Sequence, residues 1–148
     1  MDKRSIMVVE DNQDDLDLTL RAFAKNNILN EIVIARDGVE ALDYLFGTGI
    51  HEGRDLHVMP AVILLDLNMP RMGGIEALRH IRSNALTKLL PVVVLTSSDE
   101  EKDMIASYEC GVNSYIRKPV DFNQFVDAVR QLSLYWVVLN QLPHGKTP

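Results

Sequence analysis

Five short apolar blocks, separated by amphipathic or turn-forming stretches, constrain this chain more than any other feature. Residues 4–10 (RSIMVVE), 31–35 (EIVIA), 61–66 (AVILLD), 91–96 (PVVVLT) and 112–118 (VNSYIRK) are rich in β-branched side chains. Most carry apolar residues at consecutive positions, as strands covered on both faces do. Between the blocks, Leu16, Leu20 and Phe23 recur at helical spacing within 14–26. A shorter helix is predicted over 39–46. Ile75, Leu78 and Ile81 mark a helix ending at Ser83, Met104, Ile105 and Tyr108 another, and Phe125, Val126, Val129 and Leu132 a last one. Asp11-Asn12, Ser97-Ser98-Asp99 and Asp121 stand where helix caps are needed. Buried strands alternating with helices imply an α/β fold with a parallel sheet and helices on each side, and right-handed crossovers leave few topologies.

The 148 residues suit one domain, expected over 1–142 with a loose tail at 143–148. The segment 47–60 lacks a clear period and exceeds the usual helix-to-strand link of about 2–6 residues. No apolar run reaches membrane-spanning length, and the first residues run into a strand without a cleavage signal, so no membrane partner is expected. The single cysteine, Cys110, excludes an internal disulfide and fits a reducing cytoplasm, though one Cys is also compatible with secretion. The net charge of -6 disfavours nucleic acid as a direct partner.

Open parallel sheets bind ligands beyond the carboxyl ends of their strands. Here those ends carry Glu10-Asp11, Asp66, Thr96 and Lys118. A sheet that needed only solubility would not gather three carboxylates and a lysine on one rim. Each residue alone has a plain reading: Asp66 as a turn cap, Glu10-Asp11 as a capping pair, Lys118 as a solvated lysine, Thr96 as a β-branched strand residue. The set, in order at successive strand ends, points to chemistry. Crowded carboxylates repel, and a hard divalent cation relieves them through oxygen ligands. Mg²⁺ binds through one or two carboxylates and accepts phosphate oxygens, while a remaining carboxylate oxygen can attack phosphorus. Lys118 and the Thr96 hydroxyl are suited to developing charge on a transferring phosphoryl group.

Glu10-Asp11, Asp66-Leu67-Asn68-Met69-Pro70 with Gly73-Gly74, Thr96-Ser97 and Lys118-Pro119 together resemble the receiver domain of bacterial response regulators, over about residues 4–132. The resemblance implies a flavodoxin-like doubly wound, five-stranded parallel sheet of order 2-1-3-4-5 with five helices. It makes Asp66 the phosphoacceptor and Asp11 and Glu10 the acidic pair for Mg²⁺, directly or, for Glu10, through water. It has Asn68 offering its backbone carbonyl to the metal. Lys118 pairs with the phosphoryl group, Thr96 follows it, and the Lys118-Pro119 bond is cis. Tyr115 takes the place of the rotating aromatic, a role that simple packing would equally explain. The implied donor is the phosphohistidine of a sensor histidine kinase. The long 47–60 segment, the apolar run 134–139 and the lack of an output domain in this chain are similar to receivers that serve bacterial phytochromes.

The 134–139 run fits either core or an interface, and the interface is preferred because five helices already cover the sheet. A homodimer through the face of the fourth strand and fifth helix, with the C-terminal helix, is the corresponding expectation. His51 and His57 match no metal-ligand spacing and read as solvated loop residues. Cys110 reads as a small buried hydrophobe, and Met69 and Met72 as loop packing or a partner contact. Two other functions compete. Aspartyl-phosphate phosphatases use the same nucleophile, metal and lysine, with a second Asp two residues later as general acid; Asn68 stands there instead. A phosphorylation-independent scaffold would not need the full acidic set.

Overall fold

The computed structural model describes residues 4–97, 100–118 and 121–132. The elements run β1 (Ile6–Val9), α1 (Gln13–Lys25), β2 (Ile32–Ala35), α2 (Gly38–Phe46), a 3-10 turn (Gly49–His51), β3 (Val62–Leu65), α3 (Gly74–Ser83), β4 (Val92–Thr96), α4 (Glu101–Glu109), β5 (Ser114–Arg117) and α5 (Phe122–Leu132). All strand pairs are parallel, in the order β2-β1-β3-β4-β5. The fold class and strand order expected from the sequence are those observed. The 134–139 run, the tail and Pro119 with its peptide bond lie outside the described residues.

The strands divide their side chains by parity, as the pleat requires. Met7, Val9, Ile63, Leu65, Val92 and Val94 face one layer, where Ala41 and Leu45 of α2 and Leu78 and Ile81 of α3 cover them. Ile6, Val8, Val62, Leu64, Val93 and Leu95 face the other, against Leu16, Ala22 and Phe23 of α1 and Phe125 and Val129 of α5. Consecutive apolar residues are therefore needed in β1, β3 and β4. Burial on both faces does not extend to the edge strands: β2 and β5 are only partly covered, and Ile34 is exposed. The reason is position, since an edge strand has a neighbour on one side only.

Caps fix where the helices begin. The Asn12 side chain accepts from the Asp15 amide at 2.9 Å and starts α1. Asp37 does the same for α2 through the Glu40 amide at 2.9 Å, and Asp121 accepts from the Gln124 amide in α5. The residue at the α4 cap position is Glu100, without a side-chain cap bond; Ser98 and Asp99 of the expected capping stretch lie outside the described residues. The predicted α4 residues Met104, Ile105 and Tyr108 are helical but exposed, and Ser107 is the buried one.

The 47–60 segment is organised around Arg54. Its guanidinium lies 4.0 Å from the Tyr44 ring centroid and donates to the carbonyls of Tyr44, Asp55 and Val58. His51 meets the Tyr44 ring edge-on, and His57 lies exposed beside Asp55. Cys110 is half-buried against the α2/α3 layer.

Helix α3 approaches the sheet end closely because its first residue is Gly74. A Cβ there would sit 2.3 Å from the Asp66 carbonyl oxygen. Overpacking of this kind costs about 1–3 kcal/mol, and the helix propensity gained with alanine returns at most about 1 kcal/mol. Gly74→Ala is expected to lower stability by about 1–2 kcal/mol, read as a lower urea midpoint at unchanged slope. An unchanged midpoint would mean that α3 retreats without cost.

Candidate functional site: an acidic rim with one lysine

The central strands end side by side. The Asp66 amide donates to the Val9 carbonyl at 3.0 Å, and the Glu10 amide to the Ala35 carbonyl at 2.9 Å. These bonds extend the ladder one step past β1 and β3 and bring Glu10, Asp11 and Asp66 together. Carboxylate oxygens of the three lie within 4.8 Å of one another. Glu10 and Asp66 are buried, at 4% and 6% exposure, and Asp11 is half-buried. Arg36, just past β2, ties the loop down by donating to the Asp11 carbonyl at 2.8 Å.

Strands β4 and β5 complete the rim. Thr96, the last residue of β4, is fully buried, and its hydroxyl donates to the Asp66 carboxylate. The Lys118 amide donates to the Thr96 carbonyl at 2.7 Å. Its ammonium donates to Glu10 Oε1 at 3.0 Å and to Asp15 Oδ2 at 2.8 Å. Tyr115 pairs in register with Val94 and lies in the same layer, the one that Thr96, two residues on, also faces. Asn68 is exposed on the loop after β3.

That loop is clamped at its far end. Arg71, at φ 61°, donates to Asp37 Oδ2 at 2.7 Å and Oδ1 at 3.2 Å, and the Gly38 amide donates to the Met72 carbonyl at 3.0 Å. A Cβ on Gly38 would lie 2.7 Å from that carbonyl oxygen. The clamp joins the start of α2 to the loop that follows Asp66. Met69 is partly buried against the α2/α3 layer, which accounts for its apolar character.

The electrostatics follow from crowding. Burial, then the Asp66 charge, raises the Glu10 carboxyl above its ordinary range, against the pull of Lys118. Burial also raises Asp66, helped by Asp11 and opposed by Lys118, the Thr96 hydroxyl and the Leu67 amide. Burial pulls Lys118 down, but its bonds to Asp15 and Glu10 outweigh this and hold it above the usual value, so it stays cationic. One lysine does not balance these carboxylates. The donor set is oxygen alone, partly buried and short of positive charge, and it fits a hard divalent cation such as Mg²⁺ or Mn²⁺.

Sequence reasoning named the rim residues but missed Asp15 and the Arg71–Asp37 clamp. Asp15 is one of several acidic residues between 11 and 17, and only the rotation of the first helical turn singles it out. Asp37-Gly38 was legible only as punctuation, although an acidic cap before a glycine does hint at a close backbone approach.

A model of the response regulator receiver domain matches residues 6–130. The chain belongs to the response regulator receiver family. It is 38% identical over 138 residues to the response regulator Rcp1 of a Synechocystis species, covering 93% of this chain and 92% of that protein. It is equally identical over the same length to the probable methanogenesis regulatory protein FilR2 of Methanothrix harundinacea, covering 93% and 86%. Among solved structures, the phosphorylated cyanobacterial phytochrome response regulator RcpA superposes with a TM-score of 0.84 at 38% identity, over 95% of this chain and 98% of that one. The Mn²⁺-bound form of Rcp1 gives 0.83 at 37% identity, over 95% and 99%. The bacteriophytochrome response regulator AtBRR gives 0.76 at 48%, over 95% and 100%. A phosphorelay signalling role follows from the family.

Cation binding and pH are expected to act together. The folded-state pKa of Asp66 lies above the ordinary 3.8, so its contribution to stability is full in acid and lost as pH rises through the folded value. Asp66→Asn in the metal-free protein should therefore melt higher than wild type at neutral pH, with the gap closing toward about pH 4. Mg²⁺ at ten times its Kd should stabilise wild type by about 1.4 kcal/mol, or about 3–6 °C, and the Asn variant by less. Thermal melts across pH, with and without Mg²⁺, read both. A gap that is flat with pH would deny the buried charge its role.

Proposed function

We propose that this protein is a response regulator that takes a phosphoryl group onto Asp66 from the phosphohistidine of a sensor histidine kinase and changes its partner-binding surface in response. The observation that carries this reading is the Asp66 carboxylate, buried between the acidic pair after β1 and the Thr96 hydroxyl, with Lys118 alongside.

In this reading an Asp66 carboxylate oxygen attacks phosphorus, the phosphorus–nitrogen bond to the donor breaks, and the imidazole leaves with the electron pair and takes up a proton. Asp11, Asp66 and the Asn68 carbonyl would hold Mg²⁺, with Glu10 through water. Bound Mg²⁺ supplies charge neutralisation to the phosphoryl oxygens. Lys118 pairs with one of those oxygens, and the Thr96 hydroxyl, now bound to Asp66, transfers its hydrogen bond to another. The move draws Thr96 toward the rim, and Tyr115 in the same layer is the side chain placed to follow it. The readout is the face of β4, α4, β5 and α5, where Met104, Ile105 and Tyr108 are already exposed; its occupant is a downstream protein or a second copy of the chain. The names of RcpA, a cyanobacterial phytochrome response regulator, and AtBRR, a bacteriophytochrome response regulator, support a phytochrome kinase as donor; a phosphorelay role of this kind would set the protein in the cytoplasm. Among the described residues no helix is long and apolar enough to cross a membrane. Asn68, where aspartyl-phosphate phosphatases carry a general acid, supports a phosphoacceptor that dephosphorylates itself slowly over a turnover enzyme.

Intact mass after incubation with acetyl phosphate tests the reading. Wild type with Mg²⁺ should gain one phosphoryl mass, and should not gain it without Mg²⁺ or as Asp66→Asn. If neither protein gains it, from acetyl phosphate or from kinase-borne phosphohistidine, the acidic rim is a structural feature and the chain a scaffold.

A further inference from the structure

We propose that Asp15 is a positioning residue that holds Lys118 away from Asp66 in the unphosphorylated protein and thereby weakens the site for the phosphoryl group. The inference rests on the reading of Asp66 as the phosphoacceptor and adds to it a residue that sets the strength of the switch.

Among the described residues, the carboxylates within ion-pair distance of the Lys118 ammonium are Glu10, at 3.0 Å, and Asp15, at 2.8 Å. Asp66 acts on the lysine through its charge, without a hydrogen bond. Two of the three ammonium donors are thus committed elsewhere before any phosphoryl group arrives. The two commitments differ in kind. Glu10 belongs to the carboxylate cluster that fits the cation, so a bound cation competes with Lys118 for its charge. Asp15 stands outside that cluster, and a cation leaves its hold on the lysine in place.

The hold is built into the fold. Asp15 is the third residue of α1, and its amide is bonded to the capping side chain of Asn12 at 2.9 Å. Its carbonyl accepts from the Thr19 hydroxyl at 3.0 Å, one turn on. The carboxylate lies at the positive end of the helix, where an anion is favoured. The Lys118 side chain is 12% exposed, whereas that of Asp15 is 38% exposed. The lysine is enclosed and its anchor reaches in from the rim, so the anchor can be neutralised without opening the core. When a phosphoryl group occupies Asp66, Lys118 has to give its bond to a phosphoryl oxygen, and whatever Asp15 contributes to the resting state opposes that exchange. Asp15 also adds a negative charge beside the incoming anion.

The test uses beryllofluoride, a stable stand-in for the phosphoryl group, titrated by calorimetry into the full chain in saturating Mg²⁺. Wild type, Asp15→Asn and Asp15→Glu are compared, with the Kd for Mg²⁺ alone measured beside them. The expected result is about five-fold tighter beryllofluoride binding for Asp15→Asn, equivalent to about 1 kcal/mol. Asp15→Glu, which restores the charge, should stay near wild type. The Mg²⁺ affinity of Asp15→Asn should not rise, because a negative charge has been removed. Equal or weaker beryllofluoride binding by Asp15→Asn would overturn the proposal, and weaker binding would make Asp15 an aid that prepares the lysine. Tighter binding by both variants would equally overturn it, since the charge would then not be responsible. If wild type itself bound no beryllofluoride, the phosphoacceptor reading would fail and the inference with it. If wild type bound it and Asp15→Asn did not differ, the inference alone would fail. Thermal melts of the metal-free variants check that each is folded.

Discussion

The rest of the molecule is arranged around carboxylates that are buried before they are neutralised. Glu10 and Asp66 sit almost wholly out of water, with Asp11 beside them and one lysine to offset them. Burying an unbalanced charge is among the more costly things a fold can do. Here the cost is contained by geometry. Two ladder bonds carry the ends of β1 and β3 past the last regular strand residue, so the acidic groups stand at the limit of the core and not within it. Thr96, the Leu67 amide and Lys118 supply donors, and the remaining negative imbalance suits the site to a cation.

The sheet serves this rim by being unequal across its width. The three central strands are buried on both faces and carry Glu10, Asp66 and Thr96 at their ends. The edge strands are half-covered and contribute through the loops that follow them: Arg36 after β2 and Lys118 after β5 reach inward to the acidic loop. Central strand ends carry the buried carboxylates, and residues just past the edge strands carry the positive charge.

Much of this was legible in the sequence. The consecutive apolar residues of β1, β3 and β4 state that both faces are covered, and the polar residue closing each block states where the site lies. What could not be read depended on rotation and on contacts distant along the chain. The pairing of Asp15 with Lys118 joins residues more than a hundred positions apart, and the Arg71–Asp37 clamp needs a left-handed arginine that no local pattern announces. The exposure of Met104, Ile105 and Tyr108 was hidden for a different reason, because an apolar residue at helical spacing looks the same whether it faces a core or a partner. The cap of α4 escaped because its residue, Glu100, makes no side-chain bond of the kind by which caps are recognised.

Arg54 draws the 47–60 segment into a unit that closes on itself. Its guanidinium covers the Tyr44 ring and takes up carbonyls at the end of α2 together with those of its own loop, groups that would otherwise need water or another partner. A loop that satisfies its own backbone makes few demands on the rest of the domain. Its outer surface, where Ile50 and Val58 are exposed, leads into the start of β3, while the acidic rim stands at the far end of the same strand: a side chain changed on the loop surface would meet solvent, and one changed at the rim would meet buried charge.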